Sequence, residues 1–270
     1  MKTMSDFEQD YVRSSDGAEI AFVRTGHGPP LVIVHGSLSS GEAWLPVATL
    51  LADRFTCLVM DRRGHGRSGD SREYGVEREY EDVEAVLAVA GKLVSLLGHS
   101  FGAICALGAA MRAQVNHLVL YEPPLPVNGP VSGGALIDYR KAIDSGNLDG
   151  ALAFGLTRFA GVTSGQIQAL QRSPLWSKMV ALAPTWSREV KAIDELDPSL
   201  SRYQKLLVPT MLLSGTLSPR RPLQDATEAL AATLKNVQVS RLEMHGHNAH
   251  FLAPSLIAER VATFLLARQD

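Results

Sequence analysis

The sequence predicts an α/β protein: a mostly parallel central sheet with helices on both faces and an inserted helical cap. Three observations predict it. Short, β-branched apolar runs alternate with helical stretches along most of the chain, the rhythm that specifies a parallel sheet covered on both sides. Several of the runs, "PLVIVHG" and "TCLVMD" among them, are continuously apolar, as strands buried on both faces are. Residues 123–205 break the rhythm with helix-like pieces, many prolines and glycines, and no convincing buried strand. The division expected is a core from residues 1–122 and 206–270, with 123–205 as the cap.

Taken in order, "AEIAFVRTG" (18–26) alternates like an exposed edge strand, and "PLVIVHG" (30–36) reads as a buried one. A helix is expected near 42–52, then the strand "TCLVMD" (56–61) and the polar, glycine-rich loop "RRGHGRSGD". A helix over about 76–90 carries acids in its first turn, where the helix dipole favours them. The strand "KLVSLLGHS" then runs straight into a helix of small residues, "FGAICALGAAMRA". "NHLVLYE" and "PTMLLSG" (209–215) are strands, a helix follows near 222–234, then "VQVSRLEM" and a last helix near 254–267.

With 270 residues, of which 46% are hydrophobic, the chain can build one substantial core. A formal net charge of −2 without a basic block argues against nucleic acid and against anionic membranes as partners. The apolar stretches are too short to span a bilayer, and "MKTMSDFEQDYVRSSDG" has no apolar core like that of a secretion signal. A cytoplasmic protein, monomer or homodimer, is the expectation. Cys57 and Cys105 lie in apolar segments and in no metal or redox spacing, so both should be buried thiols.

"GHSFG" (98–102) joins a buried strand to a helix, the context in which Gly-x-Ser-x-Gly makes a sharp turn that lifts the serine above the sheet. Ser100 is therefore the candidate nucleophile, and a serine hydroxyl needs a base beside it. Of eight histidines, His247 in "MHGHNAH" (244–250) is best placed, between the last strand and the last helix. His245 and His250 are read as loop or pocket residues. The tryptophans Trp176 and Trp186 are candidates to line a substrate pocket, with packing inside the cap as the alternative.

In "HGS", "DRRGHGRS", "GHSFG" and "GHNAH" the chain resembles the α/β-hydrolase superfamily over nearly everything outside 123–205. That resemblance implies an oxyanion hole from the amide of Phe101 and that of Ser37, with Leu38 the close second for the latter and a pocket candidate. "DRRGHGRS" is expected to be architectural. The superfamily's usual acid follows the strand after the cap, yet no Asp or Glu occurs from Pro198 through Gln224. Ser218 stands near that place, and Asp225 follows where helix capping explains an acid. Some members carry the acid one strand earlier, which here is Glu122, at the end of a strand that two prolines terminate.

A Ser100–His247–Glu122 triad would cleave an ester or lactone without a metal or organic cofactor. Epoxide hydrolases and haloalkane dehalogenases of this superfamily need an aspartate nucleophile, and C–C hydrolases normally carry the late acid. Serine perhydrolases or haloperoxidases, C–C bond hydrolases and non-catalytic hormone receptors share the fold and remain rivals. The lactonases that open zearalenone are similar in acid placement and size, which points to a macrocyclic or aryl lactone as substrate.

Overall fold

The computed structural model describes residues 7–267; the outermost ends of the expected core, 1–6 and 268–270, lie outside the described residues. Strands β1 (Glu8–Arg13), β2 (Glu19–Thr25), β3 (Pro30–Val34), β4 (Thr56–Met60), β5 (Ser95–His99), β6 (Leu118–Tyr121), β7 (Thr210–Gly215) and β8 (Val237–Leu242) form one sheet. Their order is β1-β2-β4-β3-β5-β6-β7-β8. β2 runs antiparallel to both β1 and β4, and every pairing from β4 through β8 is parallel.

Continuous apolar runs make sense of the two cores. Val32 and Val34 of β3 point to one face, where α2 (Val76–Ala90), α3 (Phe101–Ala110) and α9 (Asp225–Thr233) pack. Leu31 and Ile33 point to the other, against α1 (Leu45–Leu51) and α11 (Pro254–Leu266). A strand with period-two side chains needs apolar residues at every position only when both faces are covered.

The expectation for 18–26 needs correction, because β2 is not an edge strand. β1 pairs along it from Glu8↔Arg24 to Arg13↔Glu19. β1, "EQDYVR", is exposed along nearly its whole length, so it has no apolar pattern to announce it. The short helix α10 (Ala249–Leu252) also precedes α11. Cys57 and Cys105 are buried free thiols, as expected.

Between β6 and β7 the chain forms helices α4 (Leu136–Asp144), α5 (Leu148–Ala160), α6 (Ser164–Gln171), α7 (Leu175–Ala181) and α8 (Ala183–Asp194). They enclose a third apolar cluster of their own, built on Tyr139, Leu152, Phe159, Trp176, Trp186 and Val190. Asn147 caps α5, and a Thr163–Gln166 capping box starts α6, each satisfying amides that a helix leaves open. Among the described residues no helix is long and apolar enough to cross a membrane.

Candidate active site

Ser100 sits between β5 and α3 with φ 54° and ψ −124°, a strained conformation for a residue with a side chain. What holds it there is close packing. A Cβ on Gly98 would lie 2.6 Å from Ala103 Cα, and one on Gly102 would collide with the carbonyls of Val34 and His35. The Ser100 amide donates to the Tyr121 carbonyl at 2.8 Å, which ties the elbow to β6. Ser100 itself is partly exposed at this crest.

The turn after β3 lies directly against the elbow. A Cβ on Gly36 would come within 2.9 Å of Ser100 Cβ, so only glycine lets the two segments meet. His35 fixes the turn through both ring nitrogens. Its Nδ1 donates to the Gly36 carbonyl at 2.7 Å, and its Nε2 accepts the Arg62 amide at 3.0 Å. Burial, then the nearby Arg62 charge, push its pKa well down, so it stays neutral, as that pair of bonds requires. Ser37 and Leu38 continue the turn, Leu38 at φ 54°. The Phe101 amide opens α3 and has no intrahelical acceptor, because the first four amides of a helix never do.

Glu122 ends β6 at φ 49°, fully buried. Pro123 and Pro124 stop the strand there, and the Glu122 amide still donates to Leu213 at 3.2 Å. Each carboxylate oxygen has one donor. Oε1 accepts from the Gly215 amide at 2.7 Å, and Oε2 from His247 Nδ1 at 2.7 Å. A buried carboxylate costs stability unless both oxygens are satisfied, and here they are. With its Nδ1–H committed to Glu122, the His247 ring has its Nε2 lone pair free to take a proton.

His247 is held from below by neighbours the sequence did not single out. His99, the residue before Ser100, bonds the His247 carbonyl through Nε2 at 3.0 Å, with ring centroids 4.5 Å apart. The Tyr121 hydroxyl donates to the Gly246 carbonyl and accepts the Ala249 amide at 3.2 Å. His250, expected in the loop or pocket, is buried and stacks on Trp44, centroids 4.8 Å apart and planes 7° from parallel. Burial, then the His247 charge, lower its pKa to about 3, and His99 is pushed well down by burial first and then by the neighbouring His250 and His247 imidazoles. Both are neutral packing groups around one half-buried imidazole.

Asp225 is elsewhere. It opens α9, expected to point to solvent, but its side chain is only 11% exposed and is occupied by Arg220 at 3.1 Å and Arg221 at 3.4 Å. Asn128 Nδ2 donates to it at 2.7 Å. At the position where the acid was missing, Ser218 is buried with no partner for its hydroxyl among the described residues.

Trp176 and Trp186 are both buried in the cluster of the helical insertion. Trp176 Nε1 donates to Asp149 at 2.7 Å, and Trp186 packs edge-on against Tyr139 and Phe159. Leu38 reaches this same cluster from the turn beside Ser100.

A second buried polar group lies behind the turn. Arg62, fully buried, donates to Glu79 at 2.9 Å and to Glu189 at 2.5 Å. Glu79 is one of the acids in the first turn of α2, but it faces the core, where burial raises its pKa to about 7 against the pull of Arg62. A signal for both acids was present: Glu79 stands on the apolar stripe of Val76, Tyr80 and Val83, and Glu189 on that of Trp186, Val190 and Ile193. Arg63 likewise is buried against Asp82 at 2.7 Å and Asp16 at 2.9 Å, in keeping with an architectural "DRRGHGRS".

The model for the Alpha/beta hydrolase family matches residues 31–260. The crystal structure of an alpha/beta hydrolase from Sphaerobacter thermophilus is 33% identical, with TM-score 0.85, covering 95% of this chain and 100% of that one. An uncharacterized hydrolase, YraK, from Bacillus subtilis is 34% identical over 115 residues, 40% of this chain and 42% of its own. N-formylmaleamate deformylase from Pseudomonas putida is 36% identical over 133 residues, 47% of this chain and 49% of its own. The matches thus span less than half the length of each of these two relatives.

Proposed function

The chain belongs to the alpha/beta hydrolase family, and from that premise we propose that it cleaves a carboxylic ester or lactone through Ser100, His247 and Glu122. The observation that carries this reading is the 2.7 Å bond between His247 Nδ1 and a fully buried Glu122. It fixes the tautomer whose Nε2 can accept the Ser100 proton. Ser100 Oγ attacks the carbonyl carbon while His247 takes the proton, and Glu122 stabilises the imidazolium. The amides of Phe101 and Ser37, with Leu38 beside the latter, meet the oxyanion, usually the largest single contribution to such catalysis. His247 then protonates the leaving alcohol, and water releases the acyl group by the same steps in reverse order.

In this reading residues 123–205 act as a cap over the site, and Leu38 forms the floor where cap and turn meet. Trp176 and Trp186 shape that cap through its core. Turnover of p-nitrophenyl acetate, lost on phosphonate treatment with the adduct on the Ser100 peptide, is the expected result. An active protein whose label lies elsewhere would remove Ser100 from the reaction.

A second reading is favoured by the stretch shared with the deformylase: the same residues would attack an N-formyl or amide carbonyl and expel an amine. A panel of short esters, aryl esters, lactones and N-formyl amides separates the two. The substrate with the highest kcat/KM identifies the bond, and a lactone is the expected winner.

A further inference from the structure

Arg62 touches both segments to which the proposed mechanism assigns the oxyanion. Its Nε donates to the His35 carbonyl at 3.0 Å and its Nη2 to the Gly36 carbonyl at 3.3 Å. On the other side its guanidinium lies 4.8 Å from the centroid of the Phe101 ring. Two carboxylates hold this cation from different parts of the chain. Glu79 belongs to α2 of the core, whereas Glu189 belongs to α8 of the insertion. His65 completes the enclosure, its Nε2 3.3 Å from the same Glu189 oxygen. The other oxygen, Glu189 Oε2, is buried without a partner among the described residues.

That arrangement is costly as packing. A buried carboxylate with one oxygen unsatisfied destabilises a fold relative to an apolar side chain of similar volume. The insertion has an apolar core of its own, and α8 also buries Ala192 and Ile193 in the sheet's core, so apolar contacts already pack this helix. What the acid does reach is the cation behind the turn.

We propose that Arg62 is a positioning residue for the oxyanion-binding turn, and that Glu189 makes its grip depend on the seating of the helical insertion against the core. The proposal rests on the serine-hydrolase reading. When α8 is seated, Glu189 and Glu79 pull the guanidinium from two sides and present its remaining donors to the carbonyls of residues 35 and 36. When α8 lifts, one anion leaves, the guanidinium turns toward Glu79, and the peptide that carries the Ser37 amide follows. A displacement of about 1 Å at a reacting centre is enough to cost roughly 10²-fold in rate. The site is thereby complete only under a closed insertion, where water is excluded.

The same helix offers an internal control. Arg188, next to Glu189, grips Asp70 with two bonds of 2.8 and 2.9 Å and lies over the Tyr74 ring at 4.2 Å. This partly exposed pair links α8 to the core without touching residues 35–37, and it contributes too little for its loss to unseat a helix that Ala192 and Ile193 anchor in the sheet's core.

The test compares Glu189→Gln with Asp70→Asn in the full chain, both checked for folding by circular dichroism. Ester kcat and KM are measured, together with inhibition by a trifluoromethyl ketone, which forms a tetrahedral oxyanion on a serine, and the rate of phosphonate labelling. Glu189→Gln should lower kcat by about 10- to 100-fold with KM changed by less than about twofold, and weaken the ketone by the factor lost in kcat/KM. Asp70→Asn should leave kcat within about twofold of wild type. If Glu189→Gln does not fold, Glu189→Asp replaces it, with an expected loss of about three- to tenfold. Unchanged kcat and ketone affinity in the folded variant, or an equal loss in Asp70→Asn, would overturn the inference and leave the hydrolase reading intact. If wild type takes no phosphonate label on Ser100, the reading and the inference fall together.

Discussion

β6 and β7 lie side by side, paired from Leu118↔Thr210 to Tyr121↔Leu213, and they end in opposite ways. β6 ends on a carboxylate that is fully buried and bonded at both oxygens. β7 ends on Gly215, followed by a loop whose buried Ser218 hydroxyl has no bond among the described residues and whose first acid, Asp225, is occupied by two arginines. The difference teaches what an orienting acid requires. Proximity in sequence to the expected place counts for little; a carboxylate serves only if its backbone is fixed and one oxygen is left for the imidazole. The β7 backbone does contribute, since the Gly215 amide holds the Glu122 oxygen that His247 does not use.

Ways to break this comparison differ greatly in size. Ser100→Ala and His247→Ala should each lower kcat by about three or more orders of magnitude, and the double variant should be scarcely slower, because such groups act as a unit. Additive losses in the double variant would mean that His247 does not serve Ser100. Glu122→Gln keeps the shape and removes the charge, so the His247 tautomer is no longer enforced, and a loss of about two to four orders of magnitude in a folded protein is expected. Near-wild-type turnover of that variant would make the end of β6 a mere strand terminus.

Acid should affect stability through the packing around that strand end. His99 and His250 beside His247, with His35 and His65 behind the turn, all have pKa values pushed down by burial first and by neighbouring positive charge second. They stay neutral in the folded state but take up protons near pH 6.5 when unfolded. Stability is therefore full above pH 6.5 and falls as the pH drops, each histidine contributing up to about 1.4 kcal/mol per pH unit. Glu79 opposes them, since its raised pKa lets the fold keep a proton between pH 4.5 and about 7 that the unfolded chain releases. Burial also raises the carboxyls of Asp61 and Asp82 and lowers His117, so five histidines stand against three acids, and urea midpoints should be lower at pH 5 than at pH 7. A midpoint that rises on acidification would mean that these histidines are charged in the fold. The smallest effect belongs to Asp225→Asn: ester turnover should stay within about twofold, with a loss under about 1 kcal/mol from partly exposed ion pairs and the helix dipole. An inactive but folded Asp225→Asn would reverse the comparison.

What could be read from the sequence follows from which interactions leave a local pattern. Strands buried on both faces do, and the helix expected near 76–90 spans Val76–Ala90. The turn that carries Ser100 was legible because it needs glycines on both sides, and the unusual place of Glu122 because an acid between a buried strand and two prolines has no local explanation. β1 was not legible, since an edge strand exposed almost throughout carries no periodicity. The pairing of the Arg62 group was not legible either: the acids betray their burial by standing on apolar stripes, but they lie 17 and 127 residues from Arg62, and nothing near "DRRGHGRS" says that they meet there. The tryptophans illustrate a different limit. Trp176 and Trp186 suit a pocket and a core equally well by composition, and only three-dimensional packing places them among Tyr139 and Phe159.

That separate core has a consequence for how such a chain can diversify. Because the buried apolar residues of α4 to α7 belong to the insertion's own cluster, these helices can be shortened, lengthened or exchanged for those of a relative without repacking the sheet. By contrast, α8 also lends Ala192 and Ile193 to the core on the sheet. Gly36, Gly98 and Gly102, where any side chain collides, admit no comparable freedom. New specificities are therefore to be sought in the insertion, by recombination rather than by scanning the elbow. One position does not travel freely: a grafted insertion that lacks an acid in the place of Glu189 would leave Arg62 short of a partner inside an otherwise intact core.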